Sequence, residues 1–269
     1  MTALPIDPIL PDLMDALRTH GRAVLQAPPG AGKTTRVPLA MLDANLTTGR
    51  ILMLEPRRLA ARAAAERLAE TLSEPTGKTI GYRMRGETAV GKTTRVEVVT
   101  EGILTRMIQS DPDLTGIGAI IFDEFHERSL NADLGLALSW EIRSILRPDL
   151  IILVMSATLD AGPVAKMLDN APVLTSQGRA YPVTTHHLPR ALPKGIRIEQ
   201  ATADLIVQAT AETTGSILVF LPGEGEIRRT EAALANRLPA DCVIRPLYGA
   251  LPFAAQRAAI APVNEGRKI

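Results

Sequence analysis

The chain has 269 residues, 46% of them hydrophobic, and a formal net charge of +1. That length allows one large or two modest domains with a real core, and the near-neutral charge gives no global signal for a nucleic-acid partner, although a local basic groove would suffice. The single cysteine, Cys242, excludes an internal disulfide, and no basic start followed by a long apolar run marks a leader or a membrane span, so a cytoplasmic protein is expected.

Taken in chain order, residues 22–26 form a short apolar strand that delivers the chain to Ala27, Pro28, Pro29, Gly30, Ala31, Gly32, Lys33, Thr34 and Thr35. Residues 34–44 then carry Val37, Leu39, Ala40, Met41 and Ala44 at a spacing that suits a helix, with a kink expected at Pro38. A strand, a glycine-rich turn and a helix make a phosphate cradle, because the free amides and the dipole of the helix N-terminus face the anion. Pro28 and Pro29 have no N–H, so the donors come from Gly30, Ala31, Gly32, Lys33 and Thr34. Lys33 is placed to reach the β- and γ-phosphates of a nucleotide and the Thr34 hydroxyl to bind Mg²⁺. Ala27 stands where the strict pattern G-x-x-x-x-G-K-[ST] has glycine, a modest departure, since Pro28 already holds its predecessor extended.

The strict pattern does occur, at residues 86–93, and residues 91–96 repeat residues 32–37 letter for letter as Gly-Lys-Thr-Thr-Arg-Val. The two copies continue differently. Arg95, Val96, Glu97, Val98 and Val99 read as a strand, so residues 86–93 are expected to be a turn between two strands, with no helix dipole to offer. This second match is therefore a decoy.

Further apolar runs at 51–55, 79–84, 95–100, 119–123 and 151–156, several separated by helical patterns, indicate a parallel α/β sheet. Pro56, Arg57 and Arg58 succeed the run at 51–55 and open an alanine-rich helix. Cations there oppose the macrodipole by about 0.3–1 kcal/mol each, which an anion such as nucleic-acid phosphate would relieve; a solvated basic corner is the plainer alternative. Thr100, Glu101 and Gly102 repeat the theme, with Thr100 placed to cap a helix whose amides could meet a phosphate. The run at 119–122 releases Asp123, Glu124, Phe125 and His126, and two acids at a strand end fit Mg²⁺ holding by Asp123, through a water, and activation of the attacking water by Glu124. Ser156, Ala157 and Thr158 end the next strand on the same sheet edge, where Ser156 and Thr158 could relay the nucleotide state by hydrogen bonds or simply cap a helix.

Residues 169–172 and 177–182 are turn-rich and read as an interdomain connection, which divides the chain into 1–176 and 177–269. A second α/β series then begins: a helix at 199–212, a strand at 216–220, a helix at 224–238 and a strand at 243–248. Arg267, Lys268 and Ile269 form a charged turn toward a strand that does not arrive, so the second domain is expected to be truncated. His20, His126, His186 and His187 show no metal-ligand spacing, and no structural metal is expected. Trp140 shares a helical spacing with Leu134, Leu138 and Ile142, which favours core packing over base stacking, and Arg62 with Glu66 is an ordinary i,i+4 surface pair.

Gly30 to Thr34, Pro56 to Arg58, Thr100 to Gly102, Asp123 to His126 and Ser156 to Thr158 occur in the order seen in DEAH-type superfamily 2 helicases. Residues 218–223 and 246–249 resemble that family's next two motifs, and Leu4, Pro5, Ile6 and the stretch 179–183 make the chain look like its bacterial HrpB branch. The resemblance implies two RecA-like domains, ATP with Mg²⁺ in the cleft between them, and single-stranded nucleic acid, RNA in preference to DNA, lying across both. It also implies that His126 couples the cleft to the second domain and that Arg67 approaches the base. Phe125 replaces the alanine of the family's signature box. The family's arginine-rich motif, which supplies fingers to the γ-phosphate, lies beyond the residues present, so nucleotide binding is expected to exceed hydrolysis. Three other readings compete. A GTPase would carry an Asn-Lys-x-Asp guanine reader, which is absent, a small-molecule kinase would not explain the second-domain motifs, and a nucleic-acid-binding ATPase module without unwinding activity remains the alternative.

Overall fold

A computed structural model describes residues 3–157, 161–178, 182–263 and 265–269. The chain divides into two compact units, Met1–Pro182 and Val183–Ile269, a boundary six residues beyond the expected end of the first domain at 176.

The first unit opens with α1 (Leu10–His20), an amphipathic helix closed by Gly21 in the left-handed conformation (φ 63°). It was not foreseen from the sequence. Then come β1 (Arg22–Gln26), α2 (Lys33–Asp43), β2 (Arg50–Glu55), α3 (Arg58–Thr71), β3 (Ile80–Met84), β4 (Glu87–Ala89) and β5 (Val96–Thr100). The unit continues with α4 (Glu101–Ser110), β6 (Ile117–Phe122), α5 (Leu130–Ile145), β7 (Ile151–Ser156), α6 (Ala161–Met167) and β8 (Val173–Thr175). Pro38 lies inside α2, and the helix runs through it.

All eight strands form one sheet in the order β4-β3-β5-β2-β6-β7-β1-β8, parallel apart from the β3–β4 hairpin. The central strands are apolar on both faces because helices cover both. On one face Leu25, Ile51, Met53, Val96, Val98 and Ile121 pack with α1, α2 and α3, and on the other Val24, Leu52, Leu54, Ile120, Phe122 and Val154 pack with α4, α5 and α6. Trp140 packs against the second of these cores, as its spacing indicated.

Two expectations change in this unit. Residues 86–93 are more than a turn, since Glu87 to Ala89 pair antiparallel with β3 about a left-handed Gly86 (φ 79°). Residues 173–175, between the two stretches read as turn-rich, add β8 beside β1, because the amides and carbonyls of an otherwise open edge strand gain partners there.

In the second unit α7 (Ile198–Glu212) and α8 (Glu224–Ala233) precede β9 (Cys242–Val243), α9 (Phe253–Ile260) and β10 (Arg267–Lys268). The expected helix at 224–238 stops at Ala233, with Asn236 left-handed (φ 60°) shortly after. The expected strand at 243–248 shrinks to β9, and Arg267 and Lys268, read as part of a charged turn, instead form β10, parallel to β9. Residues 216–220 do not form a ladder: the Ile217 amide donates to the Lys268 carbonyl at 2.9 Å, while Leu218 and Phe220 are 78% and 87% exposed. A two-stranded sheet of two-residue strands gives a third strand too few partners to be held.

Candidate nucleotide and nucleic-acid site

Parallel register aligns the carboxyl ends of four neighbouring strands. Gln26 lies beside Ser156, Phe122 beside Val154 and Leu54 beside Phe122, so the loops after β1, β2, β6 and β7 leave the sheet on one edge. Ligands of open α/β sheets bind on that edge.

The loop after β1 is held on several sides. The Ala27 amide donates to the Ser156 carbonyl at 2.9 Å, the Ala31 amide to the Pro28 carbonyl at 3.2 Å, and the Ile6 amide to the Ala31 carbonyl at 3.1 Å. Gly30 (φ 76°) and Gly32 (φ 96°) both take the left-handed conformation, and a Cβ on Gly32 would stand 2.6 Å from Leu4 Cδ1. Only glycine meets both demands at Gly32. Pro29 and Gly30 are exposed at the tip while Ala27 is fully buried. Thr35 turns back, its hydroxyl donating to the Gly32 carbonyl at 3.3 Å.

α2 then begins with Lys33, whose buried Nζ sits 2.6 Å from Glu124 Oε1. Thr34 Oγ1 donates to Asp123 Oδ2 at 2.6 Å, and the Glu124 amide donates to Asp123 Oδ1 at 2.8 Å. The Lys-Thr pair of one loop thus meets the Asp-Glu pair of another, 89 to 91 residues apart. Glu124 adopts φ 49°, a left-handed conformation that costs a non-glycine residue of order 1 kcal/mol or more and persists where the surroundings impose it. Phe125 points away from this chemistry: it is buried, edge-on to Phe122 with ring centroids 6.2 Å apart. His126 Nδ1 lies 3.4 Å from the Ala157 amide and 3.4 Å from Glu124 Oε2. Unprotonated it can accept from the amide, and protonated it can donate to the carboxylate, so a single nitrogen links the acidic loop to the loop after β7 by one route at a time. Ser156 is buried at the end of β7, and Thr158 lies outside the described residues.

The nucleic-acid candidates surround the same edge. Arg57 is the N-cap of α3 and pairs with Glu127 at 3.0 Å, and Arg58 approaches Glu87 at 3.8 Å, both arginines being exposed. Carboxylates thus balance the basic corner in this state. Thr100 caps α4 by position, without a side-chain cap bond. Glu101 is buried and accepts from Ser129 Oγ, the N-cap of α5, so it ties two helices together. The carboxylate is thus taken up inside the fold, so the expected phosphate contact of this motif falls to backbone amides, with Gly102 exposed. Arg67 is exposed and pairs with Glu70 at 3.3 Å.

Residues 8–167, more than half of the chain, match the DEAD/DEAH box helicase family. The chain belongs to that family. As a DEAD/DEAH box protein it is 50% identical over 268 residues to the ATP-dependent RNA helicase HrpB of Escherichia coli (strain K12), covering 100% of this chain and 33% of that one. It is 36% identical over 271 residues to the ATP-dependent RNA helicase HrpA of the same organism, covering 99% of this chain and 21% of that one. A crystal structure of Escherichia coli DEAH/RHA helicase HrpB matches with a TM-score of 0.92 at 50% identity, over 99% of this chain and 34% of that one. The chain therefore spans about a third of the length of HrpB.

One residue of this DEAD/DEAH box site is not singled out by the sequence patterns. Glu55 ends β2 almost fully buried, and burial next to Asp123 pushes its carboxyl up to about 9. Burial also raises Asp123, against the pull of Lys33 and Thr34. The available signal was an acid at the last position of an apolar strand, the same signal that singled out Asp123.

Proposed function

We propose that the chain is the nucleotide-binding portion of an ATP-dependent helicase that couples ATP hydrolysis to translocation or unwinding on single-stranded nucleic acid, RNA in preference to DNA, in the cytoplasm. The observation that carries this reading is the meeting of Lys33 and Thr34 with Glu124 and Asp123 at the carboxyl edge of a parallel sheet. The similarity to HrpB and HrpA, both ATP-dependent RNA helicases, supports RNA as the substrate. Among the described residues no helix is long and apolar enough to cross a membrane.

The residues fit ATP with Mg²⁺. Three acids, Glu55, Asp123 and Glu124, share the site with Lys33, and two of them are raised by burial, so the site is short of positive charge. Mg²⁺ is commonly held by one or two protein ligands and completed by waters and phosphate oxygens. Thr34 and Asp123 would hold Mg²⁺, which when bound neutralises charge on the transferred phosphoryl group. The amides of Gly30 to Thr34 would bind the phosphates. Lys33 neutralises one anion at a time, so a phosphate that takes its ammonium releases Glu124 to orient and deprotonate water beside His126. The narrower alternative is a nucleotide- and nucleic-acid-binding module without unwinding activity.

The test compares ATP turnover, with and without single-stranded RNA or DNA, in this chain and in a longer chain of the full HrpB length. RNA-stimulated turnover is expected only in the longer chain, on the scale of roughly 10³–10⁵ that an arginine finger supplies. Equal turnover with and without RNA in the longer chain would refute the helicase reading.

A further inference from the structure

Glu127 ties the acidic loop to the basic corner at the start of α3. Phe125–Glu127 form a single 3-10 turn, and the residues on either side of it, Glu124 (φ 49°) and Arg128 (φ 52°), are left-handed without being glycine. Such a backbone persists where the contacts around it impose it. Those contacts reach three different loops. Glu124 holds Lys33 of the loop after β1, His126 meets the Ala157 amide after β7, and Glu127 Oε1 accepts from Arg57 Nη2 at 3.0 Å. Within the turn the Glu127 amide donates to the Glu124 carbonyl at 2.9 Å and the Arg128 amide to the Phe125 carbonyl at 3.2 Å, so a pull on Glu127 is passed to Glu124 through the backbone.

The outer end of this chain of contacts is open to a ligand. Among the described residues Arg57 is the one ion partner of Glu127, and its side chain is 73% exposed, so an anion can reach the guanidinium without rearranging the fold. The Ala61 amide donates to the Arg57 carbonyl at 2.9 Å, which fixes the backbone of this arginine at the first turn of α3. A phosphate taken by the same guanidinium would stand beside the Glu127 carboxylate. Two anions on one fork repel, so the phosphate displaces the carboxylate.

We propose that Glu127 is a positioning residue through which nucleic acid acts on the nucleotide site: a backbone phosphate on Arg57 frees Glu127, and the loosened turn lets Glu124 leave Lys33. The proposal rests on the nucleic-acid part of the proposed function. The coupling is positive and reciprocal, since a nucleotide phosphate that takes Lys33 loosens the same turn from its other end. Its size is that of an exposed ion pair, about two- to fivefold in affinity.

The test is isothermal titration of the 269-residue chain with a nonhydrolysable ATP analogue, with and without saturating single-stranded oligouridylate. In wild type the oligonucleotide should tighten analogue binding about two- to fivefold. Glu127→Gln should bind the analogue tightly from the outset and bring that factor to about 1, and in fluorescence anisotropy it should bind oligouridylate about two- to fivefold tighter than wild type. Asp133→Asn removes the ion pair that Arg128 makes at 3.0 Å on the far side of the same turn, and should leave the factor as in wild type. Equal melting temperatures check the fold of each variant. If wild type binds no oligouridylate, the nucleic-acid reading falls and the proposal with it. If wild type binds it and the factor is absent, survives in Glu127→Gln, or is abolished equally by Asp133→Asn, the role of Glu127 is refuted while the nucleic-acid reading stands.

Discussion

Residues 32–37 and 91–96 are the same six letters in two different structures. In the first copy Gly32 is left-handed, Lys33 opens a helix and Val37 is buried on that helix. In the second, a Cβ on Gly91 would stand 2.5 Å from the Gly77 carbonyl, Lys92 lies in an exposed turn and Val96 is buried as the first residue of a strand. Both valines end in the same core. The neighbours decide the outcome. Downstream of the first copy come Leu39, Met41 and other residues at helical spacing, and downstream of the second come Val98, Val99 and Thr100, which fit a strand. Upstream, one copy leaves β1, which is paired on both sides, and the other leaves the β3–β4 edge hairpin. A short motif thus binds phosphate through a helix N-terminus only where the fold supplies the helix.

The largest expected contrast is between the lysines. Lys33→Ala should weaken nucleotide binding roughly 100-fold or more, as expected for a lost charge-assisted contact in a desolvated site, while Lys92→Ala leaves it unchanged. Isothermal titration with a nonhydrolysable ATP analogue measures both, and the reverse order would overturn the assignment of the two loops. The adjacent threonines come next. Thr34→Val should remove most of the dependence of nucleotide affinity on Mg²⁺, an effect on the order of tenfold, whereas Thr93→Val should be silent. A Mg²⁺ titration of bound nucleotide distinguishes them.

The third pair inverts the comparison. Thr94 is buried, donates to the Lys78 carbonyl at 2.9 Å and accepts from the Gly91 amide at 2.9 Å, while Thr35 makes one contact at 3.3 Å. Thr94→Val should cost about 1–3 kcal/mol of stability by leaving those groups unsatisfied, more than Thr35→Val costs, as chemical denaturation would show. The last comparison concerns pH. Glu55 is raised from 4.5 to about 9 in the folded protein, so the fold holds a proton that the unfolded chain releases. Stability of the nucleotide-free protein should then fall as pH rises from about 4.5 to about 9. Glu55→Gln should flatten that decline, read as melting temperature against pH, at roughly 2–4 °C for each kcal/mol. An equally steep decline in Glu55→Gln would refute the assignment.

Much of the first unit was legible because its strands are continuous apolar runs and its chemistry sits at their ends. Asp123 could be read from such an end. Glu55 sits at another, where the arginines just after it point toward nucleic acid and mask the acid. The second unit was less legible. Residues 216–220 have strand composition, yet composition supplies no partner strand, and those residues stay largely outside a ladder. Glu101 illustrates a different limit: the sequence puts its amide at a helix N-terminus but gives no sign that Ser129, 28 residues away, engages its carboxylate.

By itself the sequence determined the alternation of strands and helices, that a helix follows Lys33 and a strand follows Lys92, and the order of motifs that marks the family, because these depend on periodicity and on residues adjacent in the chain. Only the tertiary structure decided that Lys33 pairs with Glu124, that His126 meets Ala157, and that Glu55 is buried against Asp123. Each of these joins residues from separate strands or loops, and their energies depend on burial and distance, which local pattern does not contain.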